Sequence, residues 1–367
     1  MPQIEIGALS PEYAMTVHAV LPPPVTGMTL CTESIVDALS RRVPVRRFNW
    51  SNGSPQITPW FRVVKAVRAL VTPWKLLFSR RPAHGVFYMP ANAGYAVLFN
   101  VLALAAARLR GYRCVLHHHY FRYVENYEWR TKLLTRLLGP HDLEIVLCPE
   151  MERRFRQLYG LTLPLAILPS TVQLLPAATE SSSISPIVTP RTGPFCIGHI
   201  TNLQLAKGLD LVIEVLRELR RKGRDVRLML AGPVDTAIEQ RLIDAAQREF
   251  GESLDYRGPV YQADKQRFFE ELDAVVYPTR NDAQPLVVSE SFSFGKPVLT
   301  FARGCIPGLM GPTLAWAFPI DSDFATLATR KIEDWIDDPL AYLDARRAAR
   351  QRYDELLIEA RASLEGF

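Results

Sequence analysis

Cysteine is scarce in this chain: five residues in 367, at positions 31, 114, 148, 196 and 305, with no C-x-x-C pair. The odd count and wide spacing predict neither a disulfide framework nor a zinc site. They fit a reducing, cytoplasmic setting. Long apolar runs are also lacking. The most apolar segment, residues 93–113, has an uncharged core shorter than the ~20 residues a membrane span needs, and Arg108, Arg110 and Arg113 close it. It predicts a buried helix. The N-terminus shows no basic region followed by an apolar run, so no secretory signal is predicted. Absent too are a G-x-G-x-x-G fingerprint, a phosphate loop of the G-x-x-x-x-G-K type and a Ser-His-Asp arrangement. No sequence repeat of fixed period is present.

The most telling absence is of negative charge. Residues 38–124 hold 14 Lys and Arg and no carboxylate. The net charge of +5 is therefore unevenly spread. Residues 1–160 carry 20 basic and 10 acidic side chains, and the remainder is net acidic. Trp50, Trp60, Phe61, Trp74 and Phe78 are interleaved with the cations, and Arg62, Lys65 and Arg68 fall at helical spacing. A basic face with apolar side chains beside it suits an anionic membrane surface. Nucleic acid is not expected as a partner.

What is present is a rhythm. Short strand-like runs ("YAMTVHAVL", "HGVFYMP", "RCVLHHH", "LEIVLCP", "LAILPS") alternate with helix-like stretches, a pattern that predicts a parallel sheet covered on both faces. Residues 174–194, rich in Ser, Thr and Pro, read as a linker or long loop. A second series of strands and helices follows, and 338–367 reads as one or two amphipathic helices. The expectation is two Rossmann-like, doubly wound α/β domains facing a cleft. Residues 1–170 form the first domain, rejoined by a C-terminal helix from about 346 to 367, and residues 171–345 form the second. Ligands in open α/β sheets lie beyond the carboxyl ends of the strands.

The stretch "NDAQPLVVSESFSFGKPV", 281–298, places two carboxylates, Asp282 and Glu290, in a segment otherwise almost uncharged. Asn281 or Asp282 reads as a helix N-cap, with Pro285 in the first turn, Gly295 as a left-handed stop and "KPVLT" as a buried strand. The free N–H groups of such a helix start favour an anion. Upstream, "NLQLAKG" puts Asn202, Lys207 and Gly208 between a strand and a helix.

In order and spacing, this series resembles the C-terminal domain of the family 4 retaining glycosyltransferases, which have the two-domain GT-B fold. The resemblance covers roughly residues 195–310. It implies that Lys207, with Asn202 at the start of its loop, meets the phosphates of a nucleotide-diphosphate sugar. It implies that Glu290 holds the ribose, Asp282 the sugar hydroxyls, and the Gln284–Pro285–Leu286–Val287 helix start the diphosphate. Asp282 stands where the family has Glu, one methylene longer. In the first half, "LPPPVTG" resembles the family's Gly-containing loop, so Gly27 would allow close backbone approach to donor or acceptor. In "VLHHHYFRY", His119 matches the position of the family's sugar-facing His and His117 is the second choice. His118 points to the opposite face, so the three do not form a metal site.

The resemblance implies a retaining glycosyltransferase, specifically a hexosyltransferase, acting on a carbohydrate or lipid-linked acceptor in polysaccharide or glycolipid synthesis. It needs neither cofactor nor metal, with Lys207, Asp282 and His119 as the catalytic group. The basic first half, by contrast, is what suggests a cytoplasmic protein that is peripheral on the cytoplasmic face of the membrane. A nucleotide-sugar epimerase or hydrolase of the same fold, or a non-catalytic binding scaffold, are the alternatives.

Overall fold

The structure is a computed structural model that describes residues 13–23, 27–41, 43–51, 59–79, 84–161, 164–175 and 193–365. The chain divides into two compact units, Met1–Leu175 with Glu359–Phe367, and Pro176–Ile358. The sequence-based division set these changes at 170/171 and at about 346. Most of the expected linker, and residues 24–26 of the "LPPPVTG" loop, lie outside the described residues.

The first unit contains strands β1 (Tyr13–Ala19), β2 (Val45–Asn49), β3 (His84–Ala91), β4 (Arg113–His118), β5 (Leu143–Val146) and β6 (Leu165–Ile167). Its helices are α1 (Gly27–Ser40), α2 (Pro59–Phe78), α3 (Val97–Leu109), α4 (Arg122–Glu125), α5 (Trp129–Arg136) and α6 (Pro149–Tyr159). The second unit contains β7 (Phe195–Ile200), β8 (Val226–Ala231), β9 (Leu254–Tyr256), β10 (Ala274–Tyr277), β11 (Val298–Phe301) and β12 (Ala317–Phe318). Its helices are α7 (Leu209–Arg221), α8 (Ala237–Phe250), α9 (Gln262–Glu271), α10 (Leu286–Ser293), α11 (Ile306–Met310) and α12 (Phe324–Asp337), followed by the long α13 (Pro339–Glu365).

Both sheets are parallel throughout, in the orders β2-β1-β3-β4-β5-β6 and β12-β11-β10-β7-β8-β9. In the second sheet the order reverses between β7 and β10, so the loops leaving these two strands part to opposite faces and leave a crevice at their carboxyl ends. The strands are apolar on both faces because helices cover both, and Val275, Val276, Leu228 and Leu230 are fully buried. The last turns of α13 belong to the first unit, where Ala360 is buried in the core with Val17, Val36 and Ile145.

One expectation changes. The segment predicted as a buried helix, α3, is buried on one face only: Val97, Asn100, Ala103, Leu104 and Ala107 face inward, while Leu98, Leu102 and Leu109 are exposed. The sequence is apolar on both faces, so periodicity could not mark which one is covered. The terminal stretch, expected as one or two helices, is as expected: it forms one helix, α13. No helix among the described residues is long and apolar enough to cross a membrane.

Candidate active site

The β7–β10 crevice draws the residues of "NLQLAKG" and "NDAQPLVVSE" together. After β7 the chain makes a single bridge, Leu203 to Val234, then a short 3-10 turn at Leu205–Lys207, and enters α7. Gly208, with φ +87°, starts that helix, and a Cβ there would lie 2.4 Å from the Pro278 carbonyl oxygen. This close approach of the two loops is what sets Lys207 against the loop after β10.

Lys207 Nζ donates to Asp282 Oδ1. Asp282 Oδ2 accepts from Tyr277 Oη at 2.5 Å and from Thr279 Oγ1 at 2.7 Å. Three donors thus fix one carboxylate, which is only about a fifth exposed, as is Lys207. Arg280 braces the same corner through a two-pronged pair with Asp210, at 2.8 and 2.9 Å. Tyr277 is fully desolvated; burial first, and the Asp282 carboxylate second, push its phenol well above the ordinary range. It is therefore a hydrogen-bond donor at neutral pH.

The N-cap expectation is corrected here. Helix α10 starts at Leu286 with Pro285, extended at φ −72° and ψ 126°, as its cap residue, and no side chain caps it. Asp282 does not turn to the helix because Lys207, Tyr277 and Thr279 already hold it. The first N–H groups of α10, at Leu286 and Val287, carry the positive end of the helix dipole without a side-chain acceptor. The stop is as expected: Gly295 has φ +61° and β11 follows. Glu290, on α10, pairs with Lys265 of α9 at 2.5 Å. Gln284 is half-buried and Asn202 is exposed at the start of its loop.

Sequence reasoning missed several of these groups. Lys265, Tyr277, Thr279 and Arg280 are ordinary residue types whose roles come only from the approach of α9 and the two loops. His199 was legible as the penultimate residue of the strand leading into the Lys207 loop. Its Nδ1 lies 2.9 Å from the Val276 carbonyl oxygen, and its Nε2 has no partner among the described residues. Burial lowers its pKa to about 4, against the opposing pull of the Val276 hydrogen bond.

In the first unit, the three consecutive His alternate as expected. The rings of His117 and His119 lie 4.0 Å apart between centroids, tilted by 39°, and His117 Nδ1 is 2.8 Å from Tyr88 Oη. His118 turns the other way, to Tyr123 Oη at 3.1 Å and the buried Glu144 at 3.6 Å. The Nε2 atoms of His117 and His119 are buried and have no hydrogen-bond partner among the described residues. Burial, then the neighbouring His, lowers both, His119 to about 3. Two neutral rings with open nitrogens suit an uncharged polyol better than an anion. Gly27 begins α1. His18, not singled out from the sequence, lies between Trp50 and Phe87 with neither nitrogen bonded among the described residues, and burial lowers it to about 4.

His18 and His199 give the fold a defined acid response. Each is neutral when folded and titrates near 6.5 when unfolded. Between pH 6.5 and 4 the unfolded chain therefore binds more protons, and stability, full above that window, falls as pH drops through it. The loss is on the order of 3 kcal/mol for each ring by pH 4. Thermal midpoints measured from pH 7 to 4.5 should decline steadily, and His18→Phe, which keeps the ring stack, should flatten part of the slope. A pH-independent midpoint would contradict the buried neutral assignment.

Comparison with known proteins bears on the fold and on the second half of the chain. Residues 182–352 match the family described as "Glycosyl transferases group 1". The glycogen synthase of Mycobacterium tuberculosis (strain H37Rv) is 29% identical over 175 residues, which are 44% of this chain and 39% of that protein. The chain thus spans well under half the length of the curated relatives it matches. Among solved structures, HepE from Anabaena in complex with UDP superposes with a TM-score of 0.68 at 16% identity, covering 97% of this chain and 100% of that one. Sucrose-phosphate synthase from Thermosynechococcus elongatus does so with a TM-score of 0.67 at 15% identity, covering 94% of each. Those two likenesses establish a common GT-B fold of two parallel-sheet α/β domains. Residues 182–352 thus form a region similar to the glycosyl transferases group 1, within a chain of GT-B fold.

Proposed function

We propose that the protein is a retaining, metal-independent hexosyltransferase. It moves a sugar from a nucleotide-diphosphate donor to an acceptor hydroxyl, in cell-surface polysaccharide or glycolipid synthesis. The observation that carries this is the arrangement around the uncapped start of α10, with Lys207 and Asp282 at its mouth and Glu290 on its side, at the reversal point of the second sheet. The diphosphate takes the position of greatest positive character, between Lys207 and the Leu286 and Val287 N–H groups, with Gln284 and Pro285 shaping the approach. As the donor bond breaks, negative charge grows on the leaving diphosphate, and fixed cationic and dipolar groups stabilise it without reorganising. Glu290 accepts from the ribose hydroxyls and Lys265 keeps that carboxylate oriented. Asn202 lines the loop beside the phosphates.

Asp282 and the open nitrogens of His119, with His117 behind it, are assigned to the sugar, positioning it rather than moving a proton. Gly27 marks the loop that admits donor or acceptor. The leaving diphosphate itself accepts the proton of the incoming hydroxyl. The basic first unit directs the enzyme to an anionic membrane surface, on the cytoplasmic side, and to a lipid-linked or carbohydrate acceptor.

Because HepE is solved with UDP and with UDP-glucose, these are the first ligands to test. Calorimetry separates the roles. Glu290→Gln should weaken UDP and UDP-sugar alike, since both carry the ribose. Asp282→Asn should weaken the sugar nucleotide more than the free diphosphate. Equal losses for Asp282→Asn would remove its sugar role, and no binding of any nucleotide diphosphate by the wild type would favour a binding scaffold instead. Free sugar or an epimer released without acceptor would favour a hydrolase or epimerase.

A further inference from the structure

Helix α2 is built inside out. Val63, Val67, Leu70, Val71, Trp74 and Phe78 recur at intervals of three, four and one, which places them along a single face. That face is the exposed one: Val63 and Val67 are each 53% accessible, Trp74 63% and Phe78 82%. The inward positions are Ala69, Pro73 and Leu76. Trp74 and Phe78 stack on each other at 6.2 Å, out in solvent. The neighbouring helix α3, packed against α2, exposes Leu98, Leu102 and Leu109 on its own outer face. An apolar face this large on a folded domain marks an interaction surface.

Charge identifies what covers it. A shallow groove between β2 and α2 is lined by Arg47, Arg68 and Lys75 together with Val67 and Val71 of the stripe. Cations and apolar side chains therefore share one edge, and neither α2 nor α3 contains a carboxylate. Arg47 pairs with Asp37 at 2.7 Å and Arg68 donates to the Ser51 carbonyl oxygen, but three cations exceed that one carboxylate, and an uncharged apolar protein patch would not complement the excess. A bilayer of anionic lipid supplies both layers in the right order, hydrocarbon beneath and phosphate above. The stripe from Val63 to Phe78 runs about 22 Å along the helix axis, which suits a helix lying in the plane of the interface.

We propose that α2 and α3 form a membrane-insertion face. The stripe enters the acyl boundary, and Arg47, Arg68 and Lys75 hold lipid phosphates at its edge. This rests on the reading of an anionic membrane surface given above and goes beyond it, because insertion, unlike charge attraction alone, survives salt.

The test is co-sedimentation of the full chain with vesicles of phosphatidylcholine alone or mixed with phosphatidylglycerol, at low and high salt. The wild type should bind the mixed vesicles and keep a salt-resistant fraction. Val67→Ser, Trp74→Ser and Phe78→Ser together should abolish that fraction, with partitioning falling by about tenfold for each of the two aromatic side chains removed. UDP affinity should be unchanged, which also verifies folding. Brominated acyl chains should quench tryptophan emission, and Trp74→Phe should lose part of that quenching while still binding. If the wild type binds and the triple variant retains the salt-resistant fraction, the insertion face is overturned but membrane association stands. If the wild type binds no vesicle, both fall. A wild-type dimer that the triple variant converts to monomer would assign the stripe to self-association and overturn the proposal.

Discussion

Lys207→Ala should lower turnover by about two to three orders of magnitude, equivalent to ~2.7–4 kcal/mol of lost stabilisation of the leaving diphosphate. The fold should survive, because Tyr277 and Thr279 continue to donate to Asp282 after its ionic partner is gone. The Arg280–Asp210 pair still braces the loop. The loss should appear mostly in kcat, since the charge that Lys207 meets is greatest in the transition state. Steady-state kinetics with a UDP-sugar, alongside a thermal midpoint, decides it. Wild-type turnover in a folded variant would remove the donor-site assignment.

Gly232→Ala should be the most destabilising single-methyl addition in the second unit. Gly232 follows β8 at φ +137°, a backbone state that residues with a Cβ rarely adopt. A Cβ there would fall 1.6 Å from the Thr201 carbonyl oxygen, on the backbone of the loop that leads to Lys207. Backbone cannot rotate away as a side-chain tip can, so the loop must shift. The cost should be on the order of 3 kcal/mol or more. Gly160→Ala is the control: its φ is +59° but nothing lies within 4 Å of the added carbon, so only the conformational penalty of about 1 kcal/mol applies. Urea denaturation of the two variants separates crowding from backbone strain. Equal losses would mean that the Thr201 contact is relieved at no cost.

The alternation of β1, β3, β4 and β5 with helices was legible because parallel strands covered on both faces read as continuous apolar runs. The Gly295 stop was legible because a left-handed residue leaves few alternatives to glycine. Strand β2, "VRRFN", was not, since it lies at the sheet edge with Arg46, Arg47 and Asn49 exposed and lacks an apolar run. Lys207 and Glu290 were singled out by the family resemblance of their motifs. Their partners Asp282 and Lys265 were not foreseen as partners, because they are 75 and 25 residues away in sequence. The N-cap reading of Asp282 failed for the same reason: a local preference for capping yielded to three donors that only the folded crevice brings to the carboxylate. The outward stripe of α2 was half legible. Its cations and aromatics were visible in the sequence, but which side of the helix the sheet covers is a property of packing.

The Lys207–Asp282 pair has a consequence for occupancy. Because Lys207 is already matched by an internal carboxylate, an anion that takes this cation has to compete with Asp282. A singly charged ion such as chloride brings no more charge than the carboxylate it would displace, whereas a diphosphate brings more and can reach the α10 N–H groups at the same time. On the proposed donor site, Asp282 would act as a threshold. Abundant small anions would be held off, and admission would be reserved for ligands that carry enough charge, over enough length, to dislodge it.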